Sequence, residues 1–487
     1  MITLLVSGHK YEHDLYELIR TFFPNKEIKL INSIDEYENY NYLIKSNLNI
    51  EEHISSTTIY QGGKIVSNYV VNINSIIINN YTKIQLEKIS IKKSMYCALS
   101  KLTEKGVPWG ILTGIRPTKV AHNLIDNDLS KDAVLEVLTN EYKLHKEKAE
   151  LLLKITETQR DYLYPLNKDK FSLYISIPFC PTICSYCSFS SLPINKYDYI
   201  VESYVNNLIY ELESVSKFTK KDTINTVYIG GGTPTAISPY YLNRIIQAVY
   251  KNYGTNIVEF TVEAGRPDTI NREMLLMLKK NRINRISINP QTMVDDTLKL
   301  IGRNHSSSDI IKTYYLAKEI GFHNVNMDLI LGLPGEANKQ LNITLNEISK
   351  LDPDNLTIHS LSLKRGSDYK DDKGAIKHIN NFNMDNMVAS IEEYVNTMKL
   401  YPYYLYRQKQ ISGNLENVGY SKKGMECIYN ISMMEEKETV LGFGMGAVSK
   451  IYDPERNKIK RIPNFKGIND YINRINELIK NKEEVLF

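Results

Sequence analysis

The chain has 487 residues, more than one compact core usually holds, so its length predicts two or three domains. Its 60 lysines and arginines nearly balance its 56 aspartates and glutamates, and a formal charge of only +4 argues against nucleic acid as the main partner. The five cysteines are odd in number and do not fit a secreted disulfide framework. The N-terminal MITLLVSGHKYEHD is too briefly apolar for a signal peptide or a membrane span, so we expect a cytoplasmic protein.

The first part of the chain, residues 1–165, predicts a separate α+β domain of unknown role. Short apolar runs indicate a β-α-β start, alternating stretches indicate further strands, and two long helices follow. The strands are ITLLVS (2–7), IKLIN (28–32) and KIVSNYVVNI (64–73), and the helices lie near 11–23, 83–105 and 145–162.

A segment punctuated by glycine and proline, GVPWGILTGIRPTKVAH (106–122), stands out within this part. It contains the only tryptophan, Trp109, and a basic stretch around Arg116 and Lys119. We interpret it as either a packed interdomain loop or a loop that contacts a ligand.

From Phe171 onward, short β-branched runs alternate with longer segments of helical periodicity. Such alternation predicts parallel strands joined by right-handed crossovers, in an open doubly wound sheet or a partial barrel. In either case ligands are expected at the carboxyl ends of the strands. The predicted strands are 172–177, 225–230, 258–263, 284–289, 324–331 and 355–361, and the predicted helices are about 196–217, 239–252, 269–279, 307–320 and 338–350.

The remainder of the chain predicts a mostly helical extension. It contains a long amphipathic helix near 383–399, a glycine-rich LGFGMGAVS (441–449) and a terminal helix near 469–482. We therefore predict domains at 1–165, 166–370 and 371–487, the last of which would cover the substrate.

Three cysteines lie close together in YISIPFCPTICSYCSF (174–189). Cys180, Cys184 and Cys187 have three and two intervening residues and directly follow a predicted strand. Structural zinc usually takes four ligands in separated pairs, and no second pair exists here, so a [4Fe-4S] cluster held by three thiolates suits the count better. Cys97 and Cys427 are isolated and are predicted to be buried and inert.

Further candidate ligands follow the next strands. GGGTPT (230–235) lets the backbone approach a small ligand and expose amides to a carboxylate, although it would also suit a tight turn. Glu263 ends the third predicted strand, where it could bind an ammonium group or ribose, or form a surface ion pair. Gln291, Arg303 and Asp328 come later, and each alone would be ordinary.

The spacing CPTICSYC resembles the CxxxCxxC signature of radical S-adenosylmethionine (SAM) enzymes. The resemblance implies that Cys180, Cys184 and Cys187 ligate the cluster, and that reductive cleavage of SAM gives a 5′-deoxyadenosyl radical. Together with the later motifs, residues from roughly 165 to 487 resemble the oxygen-independent coproporphyrinogen III dehydrogenase family, HemZ type. That family has a partial (β/α)6 barrel.

The same resemblance implies roles for individual residues. Tyr174 would contact the cofactor region. The methionine-binding motif falls on Gly230, Gly231, Gly232 and Thr233, and the side chains that grip SAM fall on Glu263, Gln291, Arg303 and Asp328.

The implied reaction is oxidative decarboxylation of the propionates of coproporphyrinogen III to vinyl groups, which gives protoporphyrinogen IX. A polyanionic tetrapyrrole needs cationic donors, and Arg365, Arg407 and Lys409 are the candidates. A reduced flavodoxin or ferredoxin is the expected electron donor.

Two departures from the family keep alternatives open. Phe189 stands where well-known dehydrogenases have a further cysteine, which resembles the heme-chaperone branch. That branch has an HNxxYW motif, and the nearest match here, ENVGYS (416–421), has Glu416 and Ser421 instead of the histidine and the tryptophan. The alternatives are a heme chaperone without dehydrogenase activity, and a radical SAM enzyme acting on another tetrapyrrole, such as an anaerobic heme-opening methyltransferase.

Overall fold

A computed structural model describes residues 1–37, 42–219, 223–362, 384–408 and 416–486. The chain forms two compact units, residues 1–157 and 158–487, and the boundary falls within one long helix. Of the three predicted domains, the division at residue 370 has no counterpart among these units, and the three-part division stays a prediction.

The first unit is an α+β fold. Its sheet has the order β2-β1-β3-β4-β5, in which β1 pairs in parallel with β2 and β3, and β3, β4 and β5 pair antiparallel. The strands are β1 (Ile2–Ser7), β2 (Ile28–Ile31), β3 (Tyr42–Asn49), β4 (Ile54–Gln61) and β5 (Lys64–Asn72). The helices are α1 (Glu12–Phe22), α2 (Lys83–Thr103), α3 (Thr118–Asp126), α4 (Lys131–Glu136) and α5 (Lys146–Leu163). The predicted β-α-β start is therefore present.

The segment 106–122 is packed within this unit. Trp109 is fully buried, and the backbone N–H of Ile111 donates to the carbonyl of Tyr142 at 2.9 Å. Gly110 has a φ of +51°, and a Cβ there would lie 2.1 Å from the same carbonyl. These contacts favour the packed-loop interpretation of the region around Trp109.

The second unit contains the predicted alternation of strands and helices. The parallel strands are β6 (Phe171–Ile177), β9 (Ile224–Gly231), β10 (Glu259–Gly265), β11 (Arg285–Ile288), β12 (Val325–Leu331) and β13 (Asn355–Ser360). The helices between them are α6 (Ile194–Ser216), α7 (Pro239–Tyr253), α8 (Arg272–Lys280), α9 (Asp295–Leu300), α10 (Ser307–Ile320) and α11 (Asn338–Leu351). Two short strands, β7 (Phe179–Cys180) and β8 (Leu192–Pro193), flank the cysteine segment.

Strand order decides between the two predicted architectures. Each of these parallel strands pairs with the next one along the chain, from β6 through β9, β10, β11 and β12 to β13. A doubly wound sheet would reverse its order at a switch point. Sequential order with crossovers of one hand places the helices on one face, as in a barrel. The fold is thus the partial (β/α) barrel rather than the doubly wound sheet.

Local sequence explains where these elements begin and end. The Ser238 side chain accepts from the N–H of Tyr241 and Pro239 occupies the first turn, so α7 starts there. Ser306 and Asp309 form a capping box at α10, which stops at Gly321, whose φ is +99°. Strand β6 is almost wholly buried, as expected for a parallel strand covered on both faces.

The prediction of a mostly helical C-terminal extension is wrong, because this part of the chain also supplies strands to the same sheet. Strands β14 and β15 extend it beyond β13, and β16, β17 and β18 extend it beyond β6. LGFGMGAVS is therefore a strand, a turn and part of a second strand. The strands are β14 (Tyr401–Tyr406), β15 (Asn417–Ser421), β16 (Thr439–Phe443), β17 (Val448–Asp453) and β18 (Lys458–Pro463). The helices are α12 (Met384–Thr397), α13 (Ile428–Glu435), α14 (Ile468–Asn473) and α15 (Ile475–Leu486).

A buried polar network fixes the last helix to this sheet. The Lys482 ammonium donates to Glu211 Oε1 at 2.6 Å, and both side chains are fully buried. Glu211 also accepts from the N–H of Gly444 at 2.9 Å and from the Tyr471 hydroxyl at 2.6 Å. The nearby Tyr204 hydroxyl donates to the carbonyl of Ser176 on β6 at 2.6 Å, so this hydrogen bond anchors the strand that leads into the cysteines.

None of the helices in the described chain is long and apolar enough to cross a membrane.

Candidate active site

A cavity of about 380 Å³ opens at the carboxyl ends of the parallel strands of the second unit. It lies where the strand-end rule places ligands. Ten of the residues predicted from sequence line it: Cys180, Cys184, Cys187, Gly231, Gly232, Thr233, Glu263, Gln291, Arg303 and Asp328. The fold therefore brings together side chains that are spread over almost 150 residues of sequence.

Two predicted site residues do not line the cavity. Tyr174 lies beneath it, with its ring stacked 6.4 Å from the ring of Tyr228, which in turn stacks 4.5 Å from Tyr429. Gly230 also lies behind the wall, and a Cβ there would be 2.7 Å from Glu263 Oε2. The contact of Tyr174 with the cofactor region stays a prediction, and the structure places Tyr228 between it and Glu263.

The cysteine segment is held in place by hydrogen bonds from neighbouring loops. The N–H of Cys187 donates to the carbonyl of Cys184 at 2.9 Å, which folds the segment into a turn. The Thr182 hydroxyl donates to the carbonyl of Gly302 at 2.9 Å, and Arg266 Nη1 donates to Thr182 Oγ1 at 2.7 Å. Burial raises the pKa of the Cys180 and Cys187 thiols. Without a positive ion beside them these thiols therefore stay protonated.

The glycine motif packs directly against that segment. The Thr233 hydroxyl donates to Cys180 Sγ at 3.5 Å, and a Cβ on Gly232 would lie 2.7 Å from the carbonyl oxygen of Phe179 and 3.0 Å from Cys180 Sγ. Two backbone amides of the glycine motif are not exposed to a ligand as predicted, because each already donates to a backbone carbonyl. The N–H of Gly232 donates to Ile177 at 2.8 Å, and that of Thr233 donates to Phe179 at 2.7 Å. Glycine is needed here because the two loops approach so closely.

Glu263 and Tyr228 form a buried pair on one wall. The Tyr228 hydroxyl donates to Glu263 Oε1 at 2.5 Å. Burial raises the pKa of Glu263 to about 7, although the hydrogen bonds from Tyr228 and from the N–H of Gly231 oppose the shift. The surface ion-pair interpretation is therefore wrong, since no basic side chain of the described residues holds this carboxyl group at the distance of an ion pair.

Gln291 is aimed into the site by an unusual backbone. Its φ is +66°, its N–H donates to the carbonyl of Asp328 at 2.9 Å, and its carbonyl accepts from Ile330 at 3.0 Å. The side-chain Oε1 is buried without a hydrogen-bond partner. A left-handed non-glycine residue with an unsatisfied polar atom is typical of a position held for a ligand.

Arg303 and Asp328 complete the predicted set. Arg303 Nη1 donates to the carbonyl of Asn289 at 2.5 Å and Nη2 to the Tyr186 hydroxyl at 3.1 Å, while Nε is buried without a partner. Arg303 therefore does not simply solvate a helix. Burial would raise the pKa of Asp328, but the nearby His359 ring and the hydrogen bond from Asn326 outweigh it and lower that pKa.

The predictions from sequence missed a second wall of the cavity. It consists of side chains from β13, from β14 and from the start of α13, and it includes His359, Tyr404, Tyr406, Gln408 and Asn430. His359 Nδ1 lies 2.9 Å from the Tyr406 hydroxyl, and Nε2 lies 3.7 Å from Asp328 Oδ2. His359 lies near the carboxyl end of the predicted strand 355–361, and that position was the available signal.

Of the three predicted cationic donors, only Arg407 is among the described residues, and it does not lie on this wall. Arg407 is buried, does not line the cavity, and lies close enough to Glu416 for the carboxylate to influence its pKa. It directly follows the last residue of β14, Tyr406, whose side chain does line the cavity. Arg365 and Lys409 lie outside the described residues.

Fold and cysteine-lined cavity together define a radical SAM protein, and the model of the radical SAM superfamily matches residues 174–348. The chain belongs to the oxygen-independent coproporphyrinogen-III oxidase-like family of the HemZ type. Over 387 residues it is 42% identical to the oxygen-independent coproporphyrinogen-III oxidase-like protein HemZ of Bacillus subtilis. The matched region covers 77% of each chain.

Two further similarities are more distant. The heme chaperone HemW of Bacillus subtilis is 32% identical over 280 residues, which are 57% of this chain and 70% of the relative. The solved structure of coproporphyrinogen III oxidase (HemN) from Escherichia coli matches with a TM-score of 0.52 and 19% identity, over 66% of this chain and 72% of that one. This structural match supports the assignment of the fold.

Membership of this family gives the chain SAM and a [4Fe-4S] cluster as cofactors. The donors in the cavity fit both. Three thiols line one wall, and buried polar atoms of Gln291 and Arg303 lack partners. Among the described residues, no three histidine, cysteine or acidic side chains converge as they would on a single metal ion. A four-iron cluster takes its thiolates at separate irons and needs no such convergence.

Proposed function

We propose that the protein is a radical SAM coproporphyrinogen III dehydrogenase, which converts propionate side chains to vinyl groups and so gives protoporphyrinogen IX. The observation that carries this proposal is the cavity. It joins the three cysteines to Glu263, Gln291, Arg303 and Asp328, in a chain that is 42% identical to HemZ. The family places the chain in heme-related chemistry, and the proposal specifies the reaction.

We propose that Cys180, Cys184 and Cys187 hold the cluster, which leaves one iron for the amino acid part of SAM. When bound together, the reduced cluster and SAM supply a radical that abstracts hydrogen atoms. The chain's own residues then do the positioning. Gly231 and Gly232 leave room beside the cysteine segment, and a Cβ on either would meet atoms within 3.0 Å.

The polar residues of the cavity are assigned to SAM by their unsatisfied atoms. Gln291 Oε1 and Arg303 Nε are buried without partners, so a polar ligand that supplied a donor and an acceptor would satisfy them. Glu263, whose pKa is about 7, would ionise fully when it binds a cationic group. These atoms support contacts with the ammonium, carboxylate and ribose groups of SAM.

For each propionate, a hydrogen atom, CO2 and one electron leave the substrate, so a separate one-electron acceptor is required. We propose that a reduced flavodoxin or ferredoxin supplies the electron that cleaves SAM. A bound tetrapyrrole would close this cavity over the reacting carbon, and exclusion of water there would protect a radical from side reactions.

The test is anaerobic incubation of the reconstituted protein with coproporphyrinogen III, SAM and a reductant, followed by mass analysis of the tetrapyrroles. We expect products that have lost CO2 and gained vinyl groups. Release of 5′-deoxyadenosine without any vinyl product would contradict the assigned substrate and leave the cofactors intact.

A heme chaperone is the second candidate, because relatives that include HemW of Bacillus subtilis bear that name. Phe189, which stands where dehydrogenases have a further cysteine, is 71% exposed at the cavity and could contact a porphyrin face. Stoichiometric heme binding by a protein that does not turn over coproporphyrinogen III would favour this candidate.

A further inference from the structure

The substrate in the proposed function carries several carboxylates, and the cavity needs basic groups to bind them. Among the described residues that line it, the basic side chains are Arg266, Arg303 and His359. What each one already binds decides which is available.

Both arginines are committed to the loops that hold the cysteines. Arg266 donates from Nε and Nη2 to the two oxygens of Asp268, at 3.0 and 2.7 Å, and from Nη1 to Thr182. Arg303 donates to the carbonyl of Asn289 and to the Tyr186 hydroxyl. Both are buried. They brace the cofactor wall, and the remaining Nε of Arg303 is assigned to SAM in the proposed function, so neither arginine is left for a carboxylate of the substrate.

His359 differs in position and exposure. It lies near the end of β13 on the opposite wall, and its side chain is 27% exposed to the cavity. Its ring sits between two groups of opposite character, since Nδ1 lies 2.9 Å from the Tyr406 hydroxyl and Nε2 lies 3.7 Å from Asp328 Oδ2.

Protonation of this ring changes what Tyr406 can do. In the neutral ring with hydrogen on Nε2, Nδ1 accepts the hydroxyl hydrogen of Tyr406, so that hydrogen is used. In the imidazolium, Nδ1–H donates to the Tyr406 oxygen instead. The hydroxyl hydrogen of Tyr406 then no longer bonds to the ring. Tyr406 can donate it to an anion in the cavity, next to the positive charge of the imidazolium. The protonated pair thus presents a charge-assisted donor to an anion.

We propose that His359 and Tyr406 form the specificity-determining pair that binds one carboxylate of the tetrapyrrole. This inference rests on the proposed function. Among the described residues, Asp328 from β12, Glu263 from β10 and Tyr406 from β14 interact with the ring, and Tyr404 lies on the same wall. The two tyrosines stay neutral, because burial raises the pKa of each.

The test uses reconstituted full-length protein, with coproporphyrin III and its fully esterified form as fluorescent probes. The variants are His359→Gln, which keeps polar atoms and removes the charge, and Tyr406→Phe, which keeps the ring. The matched control is His323→Gln, because His323 is exposed and does not line the cavity.

We expect wild-type protein to bind the free acid more tightly than the ester. H359Q should weaken binding of the free acid about tenfold, since a charge-assisted hydrogen bond is lost. Y406F should show the same loss to a smaller extent. Binding of SAM and of the ester should change by less than about twofold.

Equal binding of acid and ester by the wild type would overturn the inference. So would an H359Q protein that keeps its affinity for the free acid, or one that loses affinity for SAM alone. If H359Q fails to fold, Y406F carries the test. Because porphyrin binding is measured without turnover, failure to form vinyl groups would count against the proposed function, whereas unchanged binding in H359Q would count against this inference.

Discussion

The two walls of the cavity are built differently. The cofactor wall, from the cysteine segment, the glycine motif, Glu263, Gln291 and Arg303, is fixed by backbone hydrogen bonds between adjacent loops. The distal wall, from β13, β14 and α13, depends on side chains that meet from distant parts of the chain. Tyr406 and His359 are 47 residues apart, and Glu259 reaches α13 across 170 residues. Damage to the cofactor wall should stop SAM cleavage, and damage to the distal wall should uncouple it from the substrate.

The largest effect is expected from Cys184→Ala. A cluster with three protein ligands cannot be held by two, so we expect complete loss of cluster absorption, of the electron paramagnetic resonance signal and of 5′-deoxyadenosine release. The matched control is Cys97→Ala, since Cys97 lies in the first unit and should leave all three signals unchanged. A cluster retained in C184A would refute the assignment of the three cysteines.

Arg285→Met tests the support of the distal wall. Arg285 Nε donates to Glu259 Oε2 at 3.2 Å, and Glu259 caps α13 by accepting from the N–H groups of Ile428 and Tyr429, both at 3.0 Å. Both members of the ion pair are buried. Removing the arginine leaves an unpaired buried carboxylate, which should cost about 3–5 kcal/mol in denaturant unfolding.

A double variant, R285M with Glu259→Gln, separates the effect of the unpaired charge from the loss of the arginine itself. Adding Glu259→Gln to R285M removes the unpaired charge and keeps an acceptor for α13, so it should restore about half of the lost stability. Both variants should still bind the cluster and cleave SAM. Loss of the cluster in R285M alone, at a temperature where the protein is folded, would show that the two walls are not separable.

Gly232→Ala should disturb the cofactor wall without removing a ligand. The added Cβ would lie 2.7 Å from the carbonyl of Phe179 and 3.0 Å from Cys180 Sγ, and backbone atoms cannot yield easily. We expect a loss of about 1–3 kcal/mol in unfolding free energy and at least about tenfold less cluster per protein. Gly114→Ala is the control, because nothing lies within 4 Å of its Cβ position. Normal iron content in G232A would mean that the loops can separate.

The same division explains what could be predicted from sequence. The cysteine spacing and the glycine run are local patterns, and each of the parallel strands is a short apolar run between helices. Strand-end positions then predict that Glu263, Gln291, Arg303 and Asp328 converge. The distal wall offers no such pattern. Nothing local to YPYYLY indicates that β14 joins the sheet beside β15, or that Tyr406 reaches His359 on β13.

Long-range pairing also explains the error in the C-terminal part. Strand β16 contains Gly442, and Gly444 and Gly446 follow it, a composition that weakens a strand signal. It is stabilised by parallel pairing with β6, more than 260 residues earlier, from Thr439 opposite Phe171 to Phe443 opposite Ile175. Gly442 is required there because a Cβ would lie 2.8 Å from the backbone of Val448. Gly442 therefore reflects close strand approach, whereas Gly444 and Gly446, with φ values of +86° and +71°, form the turn that follows.

The smallest effect is expected from Glu263→Gln, and its sign depends on pH. Burial raises the pKa of Glu263 from 4.5 to about 7, so between these values the folded protein binds more protons than the unfolded chain. Stability contributed by this group is therefore full below about pH 4.5 and falls as pH rises to about 7. Glutamine does not titrate. In cofactor-free protein, E263Q should be more stable than wild type by about 1–3 kcal/mol at pH 8, with no such advantage at pH 4.5.

Denaturant unfolding of both proteins at the two pH values measures this difference, with the exposed Glu455→Gln as control. The same E263Q protein should bind SAM more weakly, because the carboxylate that costs stability is the one available to a cationic ligand. A stability difference that does not change with pH would show that Glu263 is ionised in the folded protein throughout. The cofactor wall would then contain a permanent negative charge, which the folded protein would have to tolerate even without a bound cofactor.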